Sequence, residues 1–152
     1  YEMQELGWNY RLDEMSCALG LSQLGKLYSG IKERRKIAKF YLNELGDLKN
    51  LRLPSDLLNI YKSVWHLYPV LINFSELEMT RTVFMNKLIE KGIGSQVHYI
   101  PLFYQPYFKE SSKNFLGAIS YYNSTLSLPM YVGLNQKDIK YIATTIKSII
   151  YE

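Results

Sequence analysis

Cysteine is almost absent from this chain: Cys17 stands alone among 152 residues. That excludes an internal disulfide and any multi-cysteine zinc site. Set beside Ala18, Leu19 and Leu21, it reads as a small buried hydrophobe. Histidine is nearly as scarce. His66 and His98 are the only two, neither has a carboxylate or cysteine at metal-ligand spacing, and no metal site is expected. No apolar run approaches the roughly 20 residues that span a bilayer. The opening Tyr1-Glu2-Met3-Gln4-Glu5 is polar and acidic, without the basic start and apolar middle of a secretory leader. A cytoplasmic location is the default expectation. The chain also starts without methionine, as expected of a fragment or a processed product. It contains no internal repeat and no low-complexity tract.

What is present is ordinary in amount and unusual in kind. Hydrophobic residues make up 47% and charged residues 21%, enough apolar material for one core and one compact domain. The net charge is +4, with its densest cluster at Lys32-Glu33-Arg34-Arg35-Lys36. An acid interrupts that cluster and its spacing is helical, so it reads as a solvated helix face and not as a nucleic-acid groove. Fourteen tyrosines are many for this length. They suit an interface or a pocket rim, where the ring packs and the hydroxyl stays wet.

Residues 1–12 read as an irregular entry segment. Asp13 is a plausible N-cap, and Cys17, Leu21, Leu24, Tyr28 and Ile31 form one helical stripe after it. Gly20 and Gly25 weaken this helix, and Ser29-Gly30 is the expected kink or break. A second helix runs over 31–45 with Ala38, Tyr41, Leu42 and Leu45 inward, closed by Gly46-Asp47. Leu51-Arg52-Leu53-Pro54 is a short strand leading into a turn. Residues 64–72 make a longer strand, where Pro69 favours an edge or a bulge. Ser75-Glu76-Leu77-Glu78 has capping-box spacing and opens a helix that Gly92 closes. Residues 93–99 are a strand, and Pro101 and Pro106 punctuate the Tyr- and Phe-rich loop after it. A helix near 117–124, an extended Leu126-Ser127-Leu128-Pro129, and a last helix from Asn135 with Ile139, Ile142, Ile146 and Ile149 on one side complete the chain. The order predicts an α+β domain: a short, mainly antiparallel sheet covered by helices.

Two constellations carry chemistry. Asn9 and Arg11 are two apart in an extended or irregular segment, so their side chains point roughly the same way. An amide donor beside a guanidinium suits a phosphate or diphosphate; an Arg salt bridge beside an Asn turn is the structural alternative. In the second, Gly92-Ile93-Gly94-Ser95-Gln96-Val97-His98-Tyr99-Ile100-Pro101-Leu102, a helix stops at glycine and a strand begins with Gln96 and His98 on one face. Taken alone, His98 reads as a hydrogen-bonded structural histidine.

Four markers together resemble the DegT/StrS-type sugar aminotransferases over essentially the whole chain. They are Gly7-Trp8-Asn9-Tyr10-Arg11-Leu12-Asp13 with the small-residue helix through Ser22-Gln23-Leu24, then His66-Leu67-Tyr68-Pro69-Val70, then Gly92 to Leu102, and lastly Leu126-Ser127-Leu128-Pro129-Met130-Tyr131. Met130-Tyr131 replaces a commoner Leu-Phe, a conservative departure. The resemblance implies the small C-terminal domain of a fold-type I transferase dependent on pyridoxal 5'-phosphate, with the preceding linking helix, over 1–152. It implies that Asn9 reaches across a homodimer interface toward the neighbouring cofactor phosphate and substrate, with Arg11 in the same segment. It implies that Gln96, Val97, His98 and Tyr99 line a nucleotide-sugar site, as in the pseudaminic-acid-pathway transaminases. His66 is then a partner for a neighbouring polar group, Tyr68 and Val70 are core, and 126–131 is a packing and chain-reversal element.

The resemblance further implies that no catalytic residue lies in this chain. The Schiff-base lysine and the aspartate of the pyridine nitrogen belong to upstream motifs that no residue here matches. The complete enzyme would move an amino group from glutamate to a UDP-linked 4-keto-6-deoxy sugar, in surface polysaccharide or pseudaminic acid biosynthesis, and this chain alone would be inactive. Two other readings compete: a dimerisation or interaction module using the apolar helix at 13–31 and the loop at 99–108, and a small binding module for an acidic ligand around Arg11.

Overall fold

The computed structural model describes residues 10–54, 63–105 and 114–152. Asn9 and Pro106 lie outside them. The described elements run α1 (Glu14–Leu24), α2 (Leu27–Leu45), β1 (Leu51–Arg52), β2 (Tyr68–Ile72), α3 (Arg81–Glu90), a 3-10 turn at Leu102–Tyr104, α4 (Leu116–Ser124), β3 (Thr125–Leu128) and α5 (Gln136–Tyr151).

The core forms where helical and strand periodicities meet. In α2, Ile37, Ala38, Tyr41 and Leu45 are buried, a stripe of three- and four-residue steps. In α5 the stripe is Ile139, Ile142, Ala143, Ile146 and Ile149, and the two helices pack on each other. Asn135 caps α5 by accepting from the Lys137 and Asp138 backbone N–H groups, while Asp138 accepts from the Asn135 N–H at 3.2 Å, a reciprocal capping box. The three strands are antiparallel in the order β1-β2-β3, with Leu51 opposite Ile72 and Tyr68 opposite Leu128. Tyr68, Val70 and Ile72 alternate into the helix-covered face. This is the expected α+β arrangement of a short antiparallel sheet covered by helices.

Four local expectations are corrected. Pro69 sits in the central strand and not on an edge. It is tolerated because its β3 partner is Ser127, whose N–H and C=O both turn away to Gln96, so no β2–β3 ladder bond is missing. On its other side β1 reaches only to Leu71. Helix α3 starts at Arg81 and not near Ser75. Thr80 supplies the cap by accepting from the Val83 N–H, and the Ser75 hydroxyl is drawn instead to Asn73 Oδ1 at 2.7 Å. The segment 93–99 pairs with β3 at Gln96 alone. The helix break falls at Gly25-Lys26, which leaves Ser29 and Gly30 inside α2. There a Cβ at Gly30 would meet Val132 Cγ2 at 3.5 Å, an ordinary contact, so glycine is not required at that position. Gly92 does close α3: at φ 73° it lets its own N–H reach Ile89 O and the Ile93 N–H reach Leu88 O, the Schellman pattern.

The first helix departs furthest from expectation. No residue of α1 is buried, and Cys17 is exposed together with Leu21, Leu24 and Tyr28. The expected inward stripe has nothing to face among the described residues. No helix of the described residues is long and apolar enough to cross a membrane.

Candidate functional site

The basic cluster of α2 does structural work before any site exists. Arg34 donates from Nη1 to the carbonyls of Trp65 at 2.9 Å and His66 at 3.1 Å, and Arg35 Nε donates to the Ser63 carbonyl at 3.1 Å. Only part of the cluster is therefore a solvated face; Lys36 and Glu33 form an exposed ion pair, worth little. The two arginines hold the entry to β2 against α2, and so fix where His66 and Leu67 lie. Buried rings anchor the same corner. Tyr41 stacks on Tyr68 with ring centroids 4.8 Å apart, and its hydroxyl donates to the Pro129 carbonyl at 2.9 Å. Burial pushes both phenols well above the ordinary tyrosine range, so both stay neutral as packing groups.

The far edge of β3 holds the other wall. Gln96 N–H donates to Ser127 O at 3.2 Å and Ser127 N–H donates to Gln96 O at 2.8 Å. One step further along the same alternation, His98 Nδ1 lies 2.8 Å from Ser127 Oγ. The result is a groove of about 290 Å³ around the end of β3. His66 and Leu67 form one side, 94–96 with His98 form the other, and Ser127 through Met130 run between. Larger cavities exist; that of about 590 Å³ has Pro54 and Ser63 in its walls, on either side of a segment outside the described residues, and contains none of the expected site residues.

Of those six residues, the structure brings Gln96 and His98 together in the groove. Val97 is half-buried and Tyr99 is 75% exposed; neither lines it, although the Tyr99 ring meets His98 edge-on at 4.7 Å. Arg11 is exposed ahead of α1 and is not among the groove residues. Asn9 lies outside the described residues. Groove members outside the six include His66 and Ser127. His66 lines the same space as His98, while its backbone carbonyl serves Arg34. Ser127, expected only as part of a packing element, is 5% exposed and touches both Gln96 and His98. The sequence signal for it is a polar Thr125/Ser127 alternation inside an otherwise apolar strand.

The groove combines the apolar Leu67, Leu128, Pro129 and Met130 with imidazole, amide and hydroxyl groups, and no lysine, arginine or carboxylate lines it. Such a set donates and accepts hydrogen bonds to a neutral or oxygen-rich ligand without charge conflict. It does not make a nucleophile. Ser127 Oγ is buried beneath the imidazole in mid-strand and no carboxylate orients the ring, unlike a hydrolytic triad. No amine in the groove can hold an aldehyde cofactor. Among the described residues no three His, Cys, Asp or Glu side chains converge as metal ligands.

The family model of the DegT/DnrJ/EryC1/StrS aminotransferases matches residues 1–147. The chain belongs to that family. It is 37% identical over 152 residues to a UDP-4-amino-4,6-dideoxy-N-acetyl-beta-L-altrosamine transaminase of Campylobacter jejuni, covering 98% of this chain and 40% of that protein. It is 28% identical to the spore coat polysaccharide biosynthesis protein SpsC of Bacillus subtilis, covering 99% of this chain and 40% of that protein. Among solved structures it superposes on Helicobacter pylori PseC, an aminotransferase involved in the biosynthesis of pseudoaminic acid, with TM-score 0.81, 28% identity, and 99% and 40% coverage of the two chains. The chain thus spans about two-fifths of the length of these family members.

Proposed function

We propose that this chain is the C-terminal part of a nucleotide-sugar aminotransferase, its small domain together with the preceding linking helix, and that it supplies one wall of the sugar site. The observation that carries the reading is the continuous family match over 1–147, with the relative that is 37% identical a UDP-sugar transaminase. The groove supports it locally. Gln96 and His98 present their polar edges together, and Ser95 Oγ is buried with no partner in a residue that lines the same space. Sugar hydroxyls or a phosphate oxygen match such groups. Val97 and Tyr99 would flank the site, the exposed Tyr99 ring packing on an apolar sugar face.

The complete protein is a cytoplasmic homodimer in this reading, with composite active sites to which Asn9 and Arg11 contribute across the interface. Pyridoxal phosphate, when bound, carries the amino group from glutamate to the keto sugar. In this reading the cofactor lysine lies outside this chain, in the part of the relatives' length that the match leaves uncovered. This chain's residues bind and orient: Gln96 and His98 hold the sugar-nucleotide by hydrogen bonds. The acceptor is a UDP-linked 4-keto-6-deoxy sugar, destined for surface polysaccharide or pseudaminic acid. The exposure of every residue of α1 also favours a second reading, a dimerisation or interaction module without catalysis.

One assay separates the two. The full polypeptide carrying this chain, given pyridoxal phosphate, glutamate and a UDP-linked 4-keto-6-deoxy-N-acetylhexosamine, forms the amino sugar, whereas the 152-residue chain alone gives no turnover. In the full polypeptide His98→Gln lowers kcat/KM by about tenfold, the scale of one hydrogen bond to a polar ligand. Turnover by the chain alone, or a full polypeptide that neither binds the cofactor nor transaminates, overturns the reading.

A further inference from the structure

The geometry points to Ser127 as the positioning residue of His98: its buried hydroxyl holds the imidazole in the tautomer whose Nε2–H faces the groove. The inference rests on the reading of the groove as the sugar site only for its consequence, since the geometry stands without it. Three observations converge on Ser127. Its backbone N–H and C=O are both committed to Gln96, which fixes the strand edge beside the histidine. The residue is 5% exposed, so the hydroxyl has little access to water. Its Oγ meets His98 Nδ1 at 2.8 Å, and no other hydrogen bond of that hydroxyl is present among the described residues.

The tautomer follows from satisfying the hydroxyl hydrogen. If Nδ1 carried the ring proton and donated, the Ser127 hydroxyl hydrogen would be buried without an acceptor, which is unfavourable. If the hydroxyl donates to a bare Nδ1, both groups are satisfied and the single ring proton sits on Nε2. His98 lines the groove and is half-buried, and its ring has no second hydrogen-bond partner among the described residues. The groove therefore carries an N–H donor of fixed direction, suited to a carbonyl, hydroxyl or phosphate oxygen. Pairing with Ser127 also spares the ordering that a freely rotating imidazole would undergo on binding.

Two histidines in the whole chain make the test direct. Long-range proton–nitrogen NMR of the chain above neutral pH resolves each ring, and a His66→Gln variant assigns them. The wild-type His98 ring is expected in one dominant tautomer, protonated at Nε2. Ser127→Ala is expected to give a mixture of tautomers with the α5 amide signals unmoved, and Ser127→Thr, which keeps the hydroxyl, to restore the wild-type pattern. A wild-type ring protonated at Nδ1 overturns the inference even if Ser127→Ala fails to fold, and so does a Ser127→Ala ring that keeps the wild-type tautomer. In the full polypeptide, Ser127→Ala is expected to lower kcat/KM for the keto sugar by about three- to tenfold, mainly through KM, and to add nothing to His98→Gln. An NMR result as expected with kinetics unchanged by either substitution would remove His98 from the sugar site while leaving the Ser127–His98 pairing intact.

Discussion

Helices α1 and α5 are both rich in apolar residues and both begin at a side-chain cap, Asp13 and Asn135, yet one is entirely exposed and the other is half core. The difference is in arrangement. In α5 the isoleucines share one side and join the core, where the helix packs against α2 and α3. In α1, Met15, Leu19, Leu21 and Leu24 spread around the helix and all lie open. A helix that is apolar on several sides is stable when it is surrounded. Apolar content thus marks a helix for burial, whereas its distribution tells whether one neighbouring layer is enough.

The contrast breaks most sharply in the core of α5. Ile146→Ala, at a fully buried position, is expected to cost about 3–4 kcal/mol in chemical denaturation of the chain. Leu21→Ala, at 73% exposure in α1, is expected to change it by less than about 0.5 kcal/mol. Equal effects would show that α1 shares the core in solution.

A smaller effect is expected at the buried tyrosines beside the groove. Tyr41→Phe removes the hydroxyl bonded to the Pro129 carbonyl and is expected to destabilise by about 1 kcal/mol. Tyr68→Phe removes a buried hydroxyl with no partner and is expected to be neutral or stabilising. The raised phenols also set an alkaline limit. Stability from keeping Tyr41 and Tyr68 neutral is fully present below the ordinary tyrosine value near 10. It is lost as pH rises through their raised values. Absorbance titration should show them ionising last, together with unfolding.

The smallest difference is expected at the caps. Asn135→Ala is expected to cost about 1 kcal/mol of global stability, because α5 is part of the core. Asp13→Ala is expected to lower only the helix content of α1, seen by circular dichroism with an unchanged denaturation midpoint. The Ser16 N–H and hydroxyl hold the Asp13 carboxyl below its ordinary value. Its capping is therefore present above the usual carboxylate range and lost as pH falls through that lowered value.

Much of the molecule is legible in the chain itself. The Ile139, Ile142, Ile146 and Ile149 stripe, the inward Ala38, Tyr41 and Leu45, and the alternating Tyr68 and Val70 follow from periodicity alone, because a 3.6- or 2-residue repeat determines which side chains share a face. The Asn135 cap and the Gly92 stop follow from local hydrogen bonding and positive φ. The pairing of Gln96 and His98 on one face is likewise readable from 92–102, and the family from the four markers taken together. Contacts between residues far apart in sequence are not. Thr80 capping α3 in place of Ser75 depends on the turn that precedes it. Pro69 inside a central strand depends on Ser127 facing Gln96. The exposure of Cys17 depends on whether a neighbour exists, and the role of Ser127 as partner of His98 depends on a contact across 29 residues. Sequence by itself determined the buried faces of α2, β2 and α5 and the chemistry available at 96–99, since these are local properties of neighbouring residues. Tertiary structure alone decided which polar groups meet, because a hydrogen bond between distant residues exists only after the sheet has set its register.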